Sequence, residues 1–419
     1  MDIAASMLRI AQQARAASRK LAAAEGADRR QALLNLAELL ASGAEEISRA
    51  NALDVEAARA RGLDQARLDR LTISPKVLDA MIQGCREVAA MSDPVGEILE
   101  MKKRPNGMLV GRMRVPLGVV AMIFESRPNA AVDAAVLCIK SGNAAILRGG
   151  SEAFHSISAL IGLIHRALEE AGLPPECVQT PPTADREAVS ALLKLDAYID
   201  VVIPRGGEGL IRTVVEQASM PVLKHYKGVC HTFVDQSADL ERAVDIIVNA
   251  KAQRPGTCNS LECLLVHADV AEAFLPKAAA ALRRRGVRFK CCPRSLALMG
   301  EGAEPAADDD WGREFLALVL AVKVVAGLDQ ALEHIAAHGS NHTEAILTND
   351  HANAMRFTRE ADASMVAVNA STRLNDGGEL GLGAEIGIST TKLHAYGPMG
   401  ILELTSAKFV VLGQGQIRE

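Results

Sequence analysis

Hydrophobic positions recur at helical spacing through residues 2 to 62, where Leu33, Leu36 and Leu40 share a face and Gly43 breaks the run before Ala44 to Arg61. From about 98 to 116 the period shortens to alternation around Asn106-Gly107, which predicts a β-hairpin able to act as an arm. Apolar runs then alternate with helical stretches: strands at 118–124, 144–147, 199–203 and 232–234, helices at 130–140, 153–171 and 208–218. A second series starts at Asp239, with a helix at 240–250, strands at 261–266, 318–325, 345–347 and 365–368, and helices at 270–285, 328–337 and 351–360. Strands alternating with helices predict parallel sheets in an α/β fold. The tail from about 375 is glycine-rich, and Leu402 to Gly413 alternates like a final strand, read here as pairing with the hairpin of a neighbouring subunit. The expected division is an α/β domain over 1–235 with its arm at about 98–116, a second α/β domain over 236–390, and a C-terminal segment over 391–419.

A chain of 419 residues exceeds one ordinary core. Its 49% hydrophobic and 23% charged residues are globular in balance, without a run long enough to cross a bilayer. A formal charge of -5, one Trp and three Tyr give neither the field nor the stacking platforms for nucleic acid. The eight cysteines contain no C-x-x-C pair, so no metal site is expected, and reduced thiols in the cytoplasm are the natural reading. Adjacent Cys291 and Cys292 carry no functional weight, because a bond between neighbours is strained. Residues 3 to 24 are rich in Ala, Arg and Ser without an acid and superficially resemble a transit peptide, but helical spacing of Ala and Leu is better explained by packing.

The densest chemistry lies in Asn249-Ala-Lys-Ala-Gln-Arg-Pro-Gly-Thr-Cys258-Asn-Ser-Leu-Glu262. It sets one cysteine on a Pro-Gly turn between a helix and a strand, where loops present reactive groups. Lys251 and Arg254 are near in sequence, and positive charge favours the thiolate that attacks carbonyls. Most free cysteines are small buried apolar residues, yet the polar neighbours Arg254, Thr257 and Asn259 favour a nucleophile here. Two further turns follow strands: Arg148-Gly149-Gly150-Ser151, and Arg205-Gly206-Gly207 leading into a helix. Backbone N–H groups at such turns meet anions, and Arg148 could fork onto the extra phosphate of NADP(H). Neither has G-x-G-x-x-G spacing, and a plain turn is an equal reading of either alone; the two together favour a dinucleotide.

Several longer segments resemble the gamma-glutamyl phosphate reductase family, also called glutamate-5-semialdehyde dehydrogenase, within the aldehyde dehydrogenase superfamily. They are Pro116-Leu-Gly-Val, Phe124-Glu-Ser-Arg-Pro-Asn129, Ile203-Pro-Arg-Gly-Gly207, Asn249-Ala-Lys with Arg254-Pro-Gly-Thr-Cys-Asn259, Asn369-Ala-Ser-Thr-Arg373 and Gly381-Leu-Gly-Ala-Glu-Ile-Gly-Ile-Ser389. The resemblance runs nearly end to end. It implies an aldehyde dehydrogenase-like fold with an NADP-binding domain, a catalytic domain carrying Cys258, and a hairpin and tail that build a homo-oligomer. The implied reaction is NADPH-dependent reduction of L-glutamyl 5-phosphate to L-glutamate 5-semialdehyde through a thioester on Cys258, a step of proline biosynthesis, with possible docking of glutamate 5-kinase. Asn129 or Asn259 are the expected side-chain oxyanion donors, and Arg127, Arg254, Arg373 and His342 the expected substrate contacts. Glu314, in Trp311-Gly-Arg-Glu-Phe315, resembles the superfamily glutamate that holds the nicotinamide ribose.

The stretch Lys224-His-Tyr-Lys-Gly-Val-Cys-His231 lacks the water-activating glutamate of hydrolytic relatives, which fits phosphate as leaving group. His225 and His231 could replace that acid, though ordinary polar or core roles are favoured. Two departures stand out: Tyr396, where the family usually has Arg, and Leu374-Asn375, where an aromatic followed by Thr is commoner. The competing readings are another aldehyde dehydrogenase or acyl-CoA reductase, and a noncatalytic oligomeric binding protein on the same fold.

Overall fold

The computed structural model describes residues 2–418, apart from the side chain of Ala66, and divides into two compact units. The first comprises residues up to Lys224 with Gly381–Gly387 and the chain from Met399; the second comprises His225–Leu380 and Ile388–Pro398. The expected boundary near residue 235 therefore moves upstream. The reason is strand pairing: the run at 232–234 belongs to a strand, Cys230–Val234, that lies between two strands of the second sheet.

In the first unit, helices α1 (Ile3–Ala23), α2 (Gly26–Ser42), α3 (Ala44–Ala60), α4 (Gln65–Leu71) and α5 (Pro75–Ala90) precede the sheet. Capping fixes several starts: Asp2, Asp64 and Ser74 each accept a backbone N–H, with Pro75 in the first turn of α5. The hairpin follows as β1 (Ile98–Lys103) and β2 (Leu109–Pro116). Next come β3 (Val119–Phe124), α6 (Asn129–Lys140), β4 (Ala144–Arg148), α7 (Phe154–Glu170), β5 (Val178–Gln179), α8 (Glu187–Leu192), β6 (Val201–Arg205) and α9 (Glu208–Gln217). The parallel sheet has the order β5-β4-β3-β6. β3 and β4 are buried along their whole length, as continuous apolar runs in a covered parallel sheet should be. Met7, Ile10, Ala11 and Ala14 of α1 join the core under this sheet, in keeping with the packing reading of the N-terminal run.

The second unit holds β7 (Cys230–Val234), α10 (Leu240–Ala252), β8 (Leu261–His267), α11 (Ala268–Arg283), β9 (Arg288–Cys291), α12 (Pro293–Met299), β10 (Ala303–Pro305), β11 (Val319–Val325), α13 (Leu328–His338), β12 (Thr343–Leu347), α14 (His351–Glu360), β13 (Met365–Val368), β14 (Ile388–Ser389) and β15 (Gly397–Pro398). Seven parallel strands run in the order β10-β9-β11-β8-β7-β12-β13. The strand over the tail, β16 (Thr405–Leu412), pairs antiparallel with β2 of its own chain, forming the sheet β1-β2-β16. This corrects the expectation of pairing with a neighbour's hairpin: Asn143 reaches the Leu404 carbonyl through Nδ2 at 2.8 Å and fixes the approach of the tail. Among the described residues no helix is long and apolar enough to cross a membrane, and all eight cysteines are free.

Candidate active site

The second unit places Cys258 in the turn between α10 and β8, half-buried. Lys251 and Glu262, at the two ends of that connection, form a fully buried ion pair at 2.6 Å that ties the helix to the strand. Burial lowers the Lys251 pKa and raises that of Glu262 to about 7. Lys251 is thus committed to Glu262, and Arg254 is exposed. The cations beside Cys258 in sequence are therefore not the ones that stabilise its thiolate.

Two histidines supply that charge instead. His225, His342 and Cys258 each offer an atom within 4.8 Å of the others. Burial alone would raise the Cys258 thiol, but the charge of His342 and the hydrogen bond and charge of His225 hold it well below the ordinary thiol range. Burial opposes charge on His225 as well, yet the Cys258 sulfur and the Ile388 carbonyl raise its pKa. His225 Nδ1 donates to the Ile388 carbonyl at 2.8 Å, leaving Nε2 for the sulfur. His342 is fully buried, with Nδ1 at 2.7 Å from Thr343 Oγ1, whose oxygen also accepts from Asn375 Nδ2 at 2.7 Å. β12 starts at Thr343 and neighbours β7, which brings His342 under the nucleophile turn.

Backbone packing finishes the turn. A Cβ at Gly228 would overlap the carbonyl oxygen of Cys258, so only glycine fits there. Cys230 donates its S–H to the same carbonyl at 3.1 Å. Asn259 does not serve as a free oxyanion donor: its Nδ2 donates to the carbonyls of Asn375 at 2.9 Å and Arg373 at 3.5 Å, while Oδ1 accepts from Thr257 and from Arg373 Nη1. That amide staples the nucleophile turn to the 372–375 segment. Arg373 also donates through Nε to Gln253 Oε1 at 2.9 Å. Glu314 accepts the Gly228 N–H at 2.9 Å, and burial and the Cys258 charge raise its pKa. His231 lies elsewhere, in the core: its Nδ1 meets Glu344 at 3.0 Å, and against the cost of burial the carboxylate pushes the imidazole up to about 10. Tyr396 donates its hydroxyl to Asp362 at 3.2 Å, beside Lys392 on the same carboxylate.

In the first unit, Arg148 and Arg205 end strands β4 and β6, which flank β3 on either side. The Arg148 fork is turned inward, donating to the carbonyls of Gly149, Ala184 and Asp185 at 2.8, 3.0 and 3.3 Å, which holds the turn rather than presenting it to a phosphate. Gly149 has no room for a Cβ against Ile157, whereas Ser151 is exposed. The Gly207 N–H at the start of α9 donates to Glu125 Oε2 at 3.1 Å, and Gly206 packs against that carboxylate; Gly207 and Gly209 have open space around them. Arg205 reaches the Glu385 carbonyl and carboxylate at 3.4 and 3.5 Å. Asn129, half-buried in the first turn of α6, donates to Asp133 at 3.3 Å. The carboxyl ends of parallel strands with glycine turns are where a nucleotide fits, with open space at Gly207 and Gly209 for its close approach. Arg127 is half-buried in the turn before α6.

Residues 3–289 match the aldehyde dehydrogenase family model. A gamma-glutamyl phosphate reductase from Solidesulfovibrio magneticus is 64% identical over 100% of both chains, and one from Maridesulfovibrio salexigens 61% identical, again over 100% of both. The chain belongs to this reductase family, a branch of the aldehyde dehydrogenases. A crystal structure of the family's member from Thermotoga maritima superposes with a TM-score of 0.95 at 45% identity, covering 99% of this chain and 100% of that one. Family membership brings an aldehyde dehydrogenase-like α/β fold, oxidoreductase activity and a nicotinamide cofactor. What the sequence reading missed is the donor set from distant segments: His342 as a partner of the sulfur, Cys230 beneath the turn and Thr343 behind the histidine. The one local signal was Gly228 in a segment without its acid.

Proposed function

We propose that the protein reduces L-glutamyl 5-phosphate to L-glutamate 5-semialdehyde with NADPH, releasing phosphate, in proline biosynthesis in the cytoplasm. The observation that carries this reading is a depressed Cys258 thiol held by His225 and His342, in a chain 64% identical to a reductase named for that substrate. The Cys258 thiolate attacks the γ-carbonyl carbon, the tetrahedral oxyanion collapses, the C–O bond to phosphate breaks and a thioester remains. Phosphate departs as a trianion unless a proton reaches it, and an imidazolium at His225 is positioned to lose one as sulfur gives up its charge. The nicotinamide, when bound, supplies the hydride that reduces the thioester carbonyl. The resulting hemithioacetal oxyanion expels the Cys258 thiolate and the aldehyde is free.

The Cys258 backbone N–H is the oxyanion donor in this account, and Asn129 stays the side-chain candidate, since the Asn259 amide is committed to the turn. Arg127, Arg254 and Arg373 are the candidate anchors for carboxylate and phosphate. Ser151, Arg205, Gly206, Gly207 and Glu314 would hold the cofactor, with Arg148 shaping its turn. Loss of the acid in the 224–231 stretch protects the thioester from water, and Glu314 already spends one oxygen on Gly228. Cys258→Ser tests the reading in an assay that couples a glutamate kinase to this protein. Wild type should form pyrroline-5-carboxylate and oxidise NADPH, and Cys258→Ser should lose more than about 10³-fold in turnover while still binding NADPH. Unchanged turnover in the variant would end the proposal.

A further inference from the structure

The tripod that activates Cys258 is also a ligand set. We propose that Cys258, His225 and His342 bind a thiophilic divalent cation, for which zinc is the reference ion, and that the bound ion reversibly silences the nucleophile. One atom from each residue lies within 4.8 Å of the other two. Tetrahedral zinc with bonds of about 2.0 Å to nitrogen and 2.3 Å to sulfur needs edges of roughly 3.3–3.6 Å, so the site closes by small side-chain movements.

Two further observations point to a ligand. The Nδ1 of each histidine is engaged by an oxygen, the Ile388 carbonyl at 2.8 Å for His225 and the Thr343 hydroxyl at 2.7 Å for His342. The carbonyl can only accept, so a neutral His225 offers its lone pair at Nε2, and His342 does the same when its Nδ1 donates to the Thr343 hydroxyl. His342 Nε2 is moreover fully buried without a hydrogen-bond partner. The ion would bind a thiolate and two neutral imidazoles, any proton on them passing to solvent, and the sulfur pair it takes is the one that attacks the acyl carbon.

A second cluster of the same residue types gives an internal contrast. His231, Cys263 and His334 also lie within 4.8 Å of one another and are buried. There, however, Lys323 Nζ stands 3.0 Å from His334 Nδ1. An ammonium only donates, so the proton of neutral His334 sits on Nε2, which faces Cys263 Sγ at 3.6 Å as donor. His334 thus turns a proton rather than a lone pair toward Cys263, and a cation stands beside it.

The test uses the full chain, stripped with a chelator and titrated with cobalt(II) and with zinc(II) against a chromogenic chelator. Wild type should bind one ion per chain and show a thiolate-to-cobalt charge-transfer band. Cys258→Ser should abolish the band, His342→Gln and His225→Gln should each weaken zinc by about 10- to 100-fold or more, and Cys263→Ala should bind like wild type. Magnesium should not compete, since it prefers oxygen ligands. Zinc should stop turnover and a chelator restore it; that consequence rests on the reductase reading, whereas the binding measurements need no turnover. Absence of stoichiometric binding, a band that survives Cys258→Ser, or a band lost in Cys263→Ala would overturn the proposal.

Discussion

The Cys258 thiolate is held by imidazoles from remote segments, while Lys251 and Arg254, its neighbours in sequence, face away to Glu262 and to solvent. Because the folded thiol is depressed, its anion should persist as pH falls well below the ordinary thiol pKa of about 8.5. Alkylation of Cys258 by iodoacetamide, followed by peptide mass, should have its midpoint clearly below that value, and His342→Gln should move the midpoint up. A wild-type midpoint near that of a free thiol would contradict the assignment of the histidines. Gly228→Ala forces a methyl onto the Cys258 carbonyl and should lower turnover by about 10²-fold or more, with NADPH affinity retained, because small misplacements of a nucleophile are costly. The nucleophile itself was legible in its Pro-Gly turn and polar flanks. His342 was not legible as its partner, since no local pattern reports that β12 lies beside β7.

At the level of elements, the turn is held by pairs that close it from both ends. Lys251 and Glu262 are one such pair, both fully buried. Removing one partner leaves a buried charge uncompensated, so Lys251→Met should destabilise the protein by about 3–5 kcal/mol, whereas the double change Lys251→Met with Glu262→Leu should recover much of that loss. Chemical denaturation of the three variants checks this, and equal losses in single and double variants would refute it. Strands and helices were legible from apolar periodicity wherever a run was buried end to end, as in β3 and β8. The short elements α8, β9, α12 and β10 escaped, since they carry too few residues to show a period. The boundary between units was misplaced because β7 reads like the strands before it; only its pairing with β8 and β12 assigns it to the second sheet.

For the molecule as a whole, the sheet β1-β2-β16 bears apolar side chains in solvent, with Phe409 72% and Val411 54% exposed on one face of β16. Exposed apolar side chains on a strand call for a cover, and a second copy of the chain is the cover that the family resemblance implies. Phe409→Glu with Val411→Glu should therefore reduce the molar mass in light scattering; an unchanged mass would remove this sheet from the assembly surface. The α/β class and the family were legible from motifs spread along the chain. The direction in which the tail strand pairs was not, because alternation in Leu402 to Gly413 fixes a strand but not its neighbour. The covalent adduct on Cys258 remains the claim on which substrate, cofactor and mechanism all depend. Intact and peptide mass spectrometry of the protein, supplied with kinase-generated L-glutamyl 5-phosphate but no NADPH, tests it most directly. The account predicts one γ-glutamyl group on the peptide carrying Cys258, released as semialdehyde when NADPH is added; an unmodified Cys258 in a preparation that does turn over once NADPH is supplied would contradict it.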